Sequence, residues 1–244
     1  MIEILRTYGT LLLIGSYPEG PLGGLALTLI LSVLGVGLAF PLSIVLALCR
    51  ISAYAVLRVP ATAIVYLVRG VPLIMLVFWS YYLVPVLIGR TVSAMSTLVV
   101  TLVVYQAAYM AEIVRAGIEA LPNGQTEAAR SLGLGYARTL QAVILPQALF
   151  NMLPSLLSQF ISTVKETSLG YVISVQELTF AANEVNSSLL IRPFEVYLIL
   201  SLTYFAVCLL LTRAAHLLET AILRRRAGRS TTHAYATHDQ VQPG

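Results

Sequence analysis

GPLGGLALTLILSVLGVGLAFPLSIVLALC, residues 20–49, carries no charged side chain over its whole length. A bilayer core about 30 Å thick needs about 20 apolar residues of helix, so this stretch is long enough to cross. Outward from it, charge-free intervals recur at 70–89, 91–111, 139–164 and 196–212. The sequence therefore predicts an all-α polytopic membrane protein with five transmembrane helices. The last interval is short, but Arg213 can snorkel and let that helix continue toward Leu218. A sixth interval, 7–18, is too short to span and contains Gly9, Gly15 and Pro18. It lacks a small-residue cleavage site and reads as an interfacial segment rather than a signal peptide.

Composition agrees with the spans. The 244 residues are 58% hydrophobic and 11% charged, with a mean hydropathy of +0.85. Soluble domains carry about 45–50% apolar and about 25% charged residues, so a soluble globule and a disordered chain are both excluded. Cys49 and Cys208 lie inside apolar stretches, which argues against a disulfide framework or a zinc site. His216, His233 and His238 fall at or beyond the last span, where a solvated tail is the expected setting and no metal site is. The single lysine, Lys165, has no glycine-rich loop before it. A P-loop needs both, so the chain has no ATP site of that kind.

Arginine bias gives an orientation. With the N-terminus outside, the inside positions are Arg50, Arg58, Arg69, Arg115, Arg130, Arg138, Arg213, Arg224, Arg225, Arg226 and Arg229; those outside are Arg6, Arg90, Lys165 and Arg192. Eleven against four places the C-terminus in the cytoplasm. Within the first span, Thr28, Ser32, Gly35, Ala39 and Ser43 form a stripe of small residues, which lets helices approach closely. The stripe fits packing within the chain or against a second subunit. Pro41 and Pro72 interrupt spans, a helical irregularity that suits a transporter. Three segments follow: an N-terminal interfacial segment (1–19), a transmembrane domain (20–223), and a cytoplasmic tail (224–244) that is basic, then disordered.

The longest polar stretch between spans, 120–146, reads ALPNGQTEAARSLGLGYARTLQAVILP. Asn123 after Pro122 is a plausible N-cap, and Thr126 through Leu132 are fair to good helix formers. Gly133 and Gly135 supply positions where a left-handed turn costs little. A second helix from Tyr136 leads toward Pro146, where the fourth span can begin. Ala128 and Ala129 have no bulk, so another protein can approach the backbone there, and Glu127 is free to pair with a partner's cation. Physics alone leaves this hairpin as either a docking element or an unpartnered surface hairpin.

Glu127-Ala128-Ala129, then Gly133, Val143, Leu145 and Pro146 at their spacings, resemble the EAA loop of permease subunits in ABC importers. The family usually has isoleucine at the position of Val143. Ala108 through Gly117 resembles the AY-x-AE-x-x-RG stretch of the polar amino-acid (histidine, glutamine, glutamate) permeases, with Ala116 replacing the usual first glycine. Gly124-Gln125, Arg69-Gly70-Val71-Pro72-Leu73 and Lys165-Glu166-Thr167-Ser168-Leu169 resemble the same subfamily. The resemblance covers about Gly24 to Arg224.

That resemblance implies a type I ABC importer fold with the 120–146 loop as a cytoplasmic coupling helix. It implies a permease subunit for polar amino acids in a bacterial inner membrane, dimeric with an identical or paralogous permease. An ABC ATPase subunit would receive the loop, and a periplasmic or lipid-anchored binding protein would deliver substrate. ATP and Mg would then sit on the partner ATPase, and this chain would be no enzyme and bind no cofactor. Glu127, Ala128, Ala129 and Gly133 would carry the coupling, with Leu145 and Pro146 setting the loop's exit. No nucleic acid is expected as a partner; membrane lipid is.

A substrate path is less sharply marked. Ionisable groups near spans are costly and usually face protein or a cavity. Glu112, Lys165 and Glu166, with Thr163, Thr167 and Ser168, are the candidates at span ends. Glu112 also fits an ion pair with Arg115 or Arg69, and the hydroxyls fit bonds to backbone carbonyls. Residues 166–195 carry Glu166, Glu177, Glu184 and Glu195 against Arg192 alone, and read as an outer gate, a docking surface or a solvated loop. Arg224-Arg225-Arg226 with Arg229 fits an anchor to anionic lipid. An ion-coupled secondary transporter or channel subunit is the alternative, but it predicts two repeated halves, which the sequence lacks.

Overall fold

The computed structural model describes the backbone of residues 1–238 and the side chains of residues 1–222. Helix α1, Ile2–Ile14, precedes α2, Gly24–Ile51, the helix of the opening stretch. Then come α3, Ala55–Arg69, and a composite helix of α4, Leu73–Phe78, a π turn, Trp79–Leu83, and α5, Val84–Ile88. The long α6, Ala94–Glu119, leads into α7, Asn123–Ser131, and α8, Tyr136–Thr139. A second π turn, Leu140–Ile144, joins α8 to α9, Leu145–Glu166, which ends in a 3-10 turn, Thr167–Ile173. Helices α10, Leu178–Leu189, and α11, Pro193–His238, complete the chain.

Among the described residues, four stretches are long and apolar enough to span a membrane: Gly24–Ile51, Ala94–Glu119, Tyr136–Ile173 and Pro193–Ile222. The pair Ala55–Arg69 and Leu73–Ile88, bent by 102°, makes a fifth. Pro72 caps α4 and cannot continue α3, which explains the break. Arg50 at the end of α2 and Arg69 at the end of α3 both reach Glu112. Helix α3 thus starts and finishes at one end of the bundle and runs across it. The arm of that pair that falls within the expected 70–89 interval is the α4–α5 composite, Leu73–Ile88.

The core forms where α2 lies along α6. Thr28, Ser32, Gly35, Ala39 and Ser43 are all buried, and a Cβ added at Gly35 would sit 3.4 Å from Leu102 Cβ. The small-residue stripe is therefore used within the chain. Leu31, Leu98, Leu102, Val65 and Val77 are fully buried around it. The two helices run parallel, with Leu31 and Leu98 toward one end and Arg50 and Glu112 at the other. Helix α9 runs antiparallel to α6: Gly117 lies against Met152, Gln106 against Gln159, and Leu98 against Gly170. Outward-facing Val33, Leu38, Val86, Leu87, Phe205 and Leu210 are exposed, as lipid-facing positions must be.

The N-terminal segment is a helix docked by side chains. Ile4 and Leu12 pack with Leu178, Ala181, Val185, Val196 and Ile199. The Met1 ammonium pairs with Glu195 at 2.6 Å, and Arg192 with Glu3 at 3.0 Å. At the opposite terminus α11 continues as helix to His238, past Ser230 where the sequence reads as disorder. The side chains of Arg224, Arg225, Arg226 and Arg229 lie outside those described, as do residues 239–244 altogether.

Candidate functional site

The 120–146 segment folds as helix, turn, helix. Helix α7 begins at Asn123 with Pro122 as its cap residue and no side-chain cap bond, so Asn123 is the first helical residue and not the N-cap. Gly133 adopts φ +82°, the left-handed conformation expected, and nothing lies within 4 Å of where its Cβ would be. Gly135 does not share it, having φ −66° as the cap of α8. The turn closes through Gly133 N to Arg130 O at 2.9 Å and Leu134 N to Ala129 O at 3.2 Å.

The alanine pair divides its work. Ala129 is buried and Ala128 exposed, one residue apart on α7. Ala129 turns inward, and its carbonyl accepts the Leu134 N–H that closes the turn, while Glu127 and Ala128 are both exposed. Of the two alanines expected to let another protein approach the backbone, Ala128 alone is exposed. Beneath the hairpin lies a cavity of about 230 Å³, lined by Ile51, Leu121, Thr126, Tyr136, Thr139 and Ile144 among others. Leu145 and Pro146 do not start a separate helix. The π turn before them carries α8 into α9, with Pro146 in the first turn of α9, and the span runs from Tyr136. Proline has no N–H to give the preceding turn, and a widened turn accommodates that. Gln147 Nε2 donates to the Val143 carbonyl at 2.9 Å.

Glu112 is the hub of a cation cluster. Its carboxylate pairs with Arg115 on its own helix, with Arg50 from α2, and with Arg69 at 3.7 Å from the end of α3. The partners Arg115 and Arg69 were legible as i, i+3 spacing and as a neighbouring helix. Arg50 was not, because nothing local in the sequence links the end of one span to a residue 62 positions away. Arg50 also lies over the Tyr66 ring at 5.6 Å, and Arg69 over Tyr109 at 5.1 Å.

The other acid–base pair lies deeper than the sequence placed it. Glu166 accepts from Gln106, and Gln159 donates to Gln106 at 2.7 Å. Gln106 is the thirteenth of the 26 residues of α6, so Glu166 sits midway along the bundle and not at the outer end of a span. The cause is the 3-10 turn and Gly170, which fold residues 167–177 back into the bundle with Gly170 against Leu98 of α6. Gln106 and Gln159 were missed, since neutral amides inside apolar stretches leave no mark in a charge count. Lys165 is exposed and lines a groove with Ser158, Ser162, Thr212, His216 and Glu219, between α9 and α11. Thr163, Thr167 and Ser168 turn their hydroxyls to the carbonyls of Gln159, Val164 and Lys165 at 2.9, 2.8 and 2.6 Å. Those three serve the backbone.

Glu177 is fully buried, which corrects its assignment to an outer surface. It caps α10, accepting from Thr179 N at 2.8 Å and Phe180 N at 3.0 Å. The Thr28 hydroxyl accepts from Leu178 N at 3.1 Å, so the same corner is tied to α2. Burial pushes the Glu177 carboxyl up to about 7, against the lowering pull of those backbone donors. Glu184 remains exposed, and Glu195 is taken by Met1 and Arg192. Among the described residues, no group of three or more metal-ligating side chains is present.

Residues 39–224 match the family described as binding-protein-dependent transport system inner membrane component. The chain is 38% identical over 201 residues to the inner membrane amino-acid ABC transporter permease protein YhdY of Escherichia coli (strain K12), covering 81% of this chain and 55% of YhdY. It is 34% identical over 212 residues to the probable glutamine ABC transporter permease protein GlnP of Bacillus subtilis (strain 168), covering 84% of this chain and 97% of GlnP. The chain thus spans about half the length of YhdY and nearly all of GlnP. Its fold is similar to the crystal structure of an amino acid ABC transporter with histidines, at TM-score 0.75 and 35% identity, covering 81% of this chain and 92% of that one. An apolar bundle of four to five candidate spans among the described residues, the helix–turn–helix at 120–146 and these likenesses agree: the chain belongs to the family of inner membrane components of binding-protein-dependent transport systems.

Proposed function

We propose that this chain is the permease subunit of an ABC importer for polar amino acids, and that it couples through α7 to a separate ATPase. The observation that carries the reading is the split of the alanine pair. Ala129 fixes the hairpin from within, so force applied at Glu127 and Ala128 is passed to α6 and α9, which enter and leave the hairpin. Relatives named as amino-acid and glutamine permeases support the substrate class. The orientation that puts eleven basic residues inside also puts this hairpin inside, where an ATPase is.

The chain pairs with a second permease, identical or paralogous, and a binding protein delivers substrate at the end bearing α10. Lys165 and Glu166 are the charged groups of the path, suited to the carboxylate and ammonium of an amino acid. Gln106 and Gln159 hold Glu166 in place, Thr163, Thr167 and Ser168 shape the backbone beside it through their carbonyl bonds, and Glu112 stays with its arginines. A charged lysine exposed midway along a membrane bundle is too costly to face lipid, which supports the α9–α11 groove as a lining surface.

The test is uptake of labelled glutamine into vesicles holding the permease, its ATPase and a binding protein. Uptake should require ATP and all three proteins. Glu127→Arg should abolish it and release the ATPase while leaving the melting temperature of the permease unchanged. ATP-independent uptake driven by an ion gradient through the permease alone would overturn the assignment.

A further inference from the structure

Helix α3 runs across the bundle at the end where Arg50, Glu112 and Arg69 meet. Its buried face, Ala61, Val65 and Val68, packs inward, and Val56, Val59, Ile64 and Leu67 are exposed. Between these faces runs one polar edge: Arg58, Thr62, Tyr66 and Arg69 are spaced four, four and three apart. At 3.6 residues per turn they fall within about 80° of one another. A helix lying across the spans with an apolar outer face and a basic edge has the form of an interfacial helix.

The charges at this edge do not balance. Arg50, Arg69 and Arg115 share the two carboxylates of Glu112 and Glu119, and Arg58 has only the Ser52 carbonyl, at 3.5 Å. Two buried donors, Arg50 Nε and Arg69 Nε, have no hydrogen-bond partner among the described residues. The Arg50 side chain is 6% exposed and Arg69 34% exposed. A cluster with excess cations, buried donors lacking acceptors and one solvent-facing guanidinium is short of an anion.

We propose that the polar edge of α3 binds the phosphate headgroups of anionic phospholipids, at Arg69 with Arg50 beside it at one end of the edge and at Arg58 at the other. Arginine forks match phosphate oxygens, and the apolar outer face of α3 lies beside the acyl chains of the same molecule. The bound lipid would brace the bend between α3 and α4, where the second span turns into the membrane. This site is separate from the coupling hairpin and from the α9–α11 groove, and its readout does not depend on transport.

The test uses the full transporter purified in detergent, titrated with phosphatidylglycerol, phosphatidylcholine or inorganic phosphate, with bound lipid counted by native mass spectrometry. Phosphatidylglycerol should bind in preference to phosphatidylcholine. Arg69→Gln should weaken that preference roughly fivefold, the effect of one arginine near a charged headgroup, and Arg69→Lys should restore part of it. Equal binding of the two lipids would overturn the proposal. So would displacement of phosphatidylglycerol by millimolar inorganic phosphate, which would mark a soluble-anion site instead. If Arg69→Gln does not fold, Arg58→Gln, at an exposed position, carries the test: an unchanged lipid preference would overturn the assignment.

Discussion

The Tyr204 hydroxyl of α11 donates to the Glu177 carboxylate at 3.1 Å, joining a membrane span to the buried cap of α10. Folded, the Glu177 carboxyl titrates near 7; its ordinary value is 4.5. The folded chain therefore holds this proton more tightly than the unfolded one. The stabilising contribution is full below about pH 4.5 and is lost as pH rises through about 7, a change on the order of 3 kcal/mol. Melting temperatures of wild type and Glu177→Gln across that window should diverge, with only the wild type falling as pH rises. Parallel curves would show that Glu177 stays ionised in the fold.

Glu112 stands between three arginines, and removing it should cost far more than removing any one of them. Glu112→Gln leaves Arg50 buried with its carboxylate gone, a change of about 3 kcal/mol or more. Arg115→Gln removes a partly exposed partner of Glu112 and Glu119, leaves Glu112 with Arg50 and Arg69, and should cost about 1 kcal/mol. Denaturation of the detergent-solubilised variants checks the ranking. Equal losses would mean that the cluster is not centred on Glu112.

Gly133 separates backbone strain from steric crowding, because its Cβ would meet nothing within 4 Å at φ +82°. Gly133→Asn should be well tolerated, Gly133→Ala should cost about 1 kcal/mol, and Gly133→Val more, since β-branching resists positive φ. The measured quantity is ATPase stimulation by the assembled permease, which should fall in that order. A valine variant as active as wild type would show that the turn can reform without the left-handed residue.

Gly24 combines both penalties. It has φ +58°, and a Cβ there would lie 2.4 Å from the Leu12 carbonyl and 2.9 Å from that of Leu11. Neither backbone atom can move without pulling α1 away from α2. Gly24→Ala should therefore expose α1 to limited proteolysis while α2 through α9 stay protected. Uniform protection would show that α1 has an alternative seat.

The spans and the hairpin were legible in the sequence because each rests on a local signal. Charge-free length marks a span, and Pro122, Gly133 and Tyr136 mark the hairpin's boundaries. What escaped rests on contacts between distant segments. Arg50 finds Glu112 only once α2 and α6 lie parallel. Glu166 reaches Gln106 only because the 3-10 turn after it folds inward, so counting residues from the nearest charge put it at a membrane surface. Ala128 and Ala129 read as a pair, yet a helical step of 100° turns one inward and the other out. Glu177 looked like a loop acid because its burial depends on Thr28 and Tyr204, 149 and 27 positions away.

Lys165 offers the sharpest test of the path. Its ammonium forms no hydrogen bond or ion pair within the described residues, and it lies exposed in the α9–α11 groove beside Thr212 and His216. Removing that charge breaks no hydrogen bond or ion pair among the described residues and gives up only its attraction to the neighbouring Glu166 carboxylate, against which stands the cost of holding an ammonium at that depth. Lys165→Leu should therefore leave the melting temperature equal or higher. Transport should respond in the opposite sense if the groove faces substrate: uptake driven by ATP falls at least tenfold, about 1.4 kcal/mol, while Lys165→Arg keeps part of it. Unchanged uptake in Lys165→Leu would place the groove outside the path and make the lysine a snorkelling residue, its stem along lipid and its ammonium drawn to the nearest polar surface.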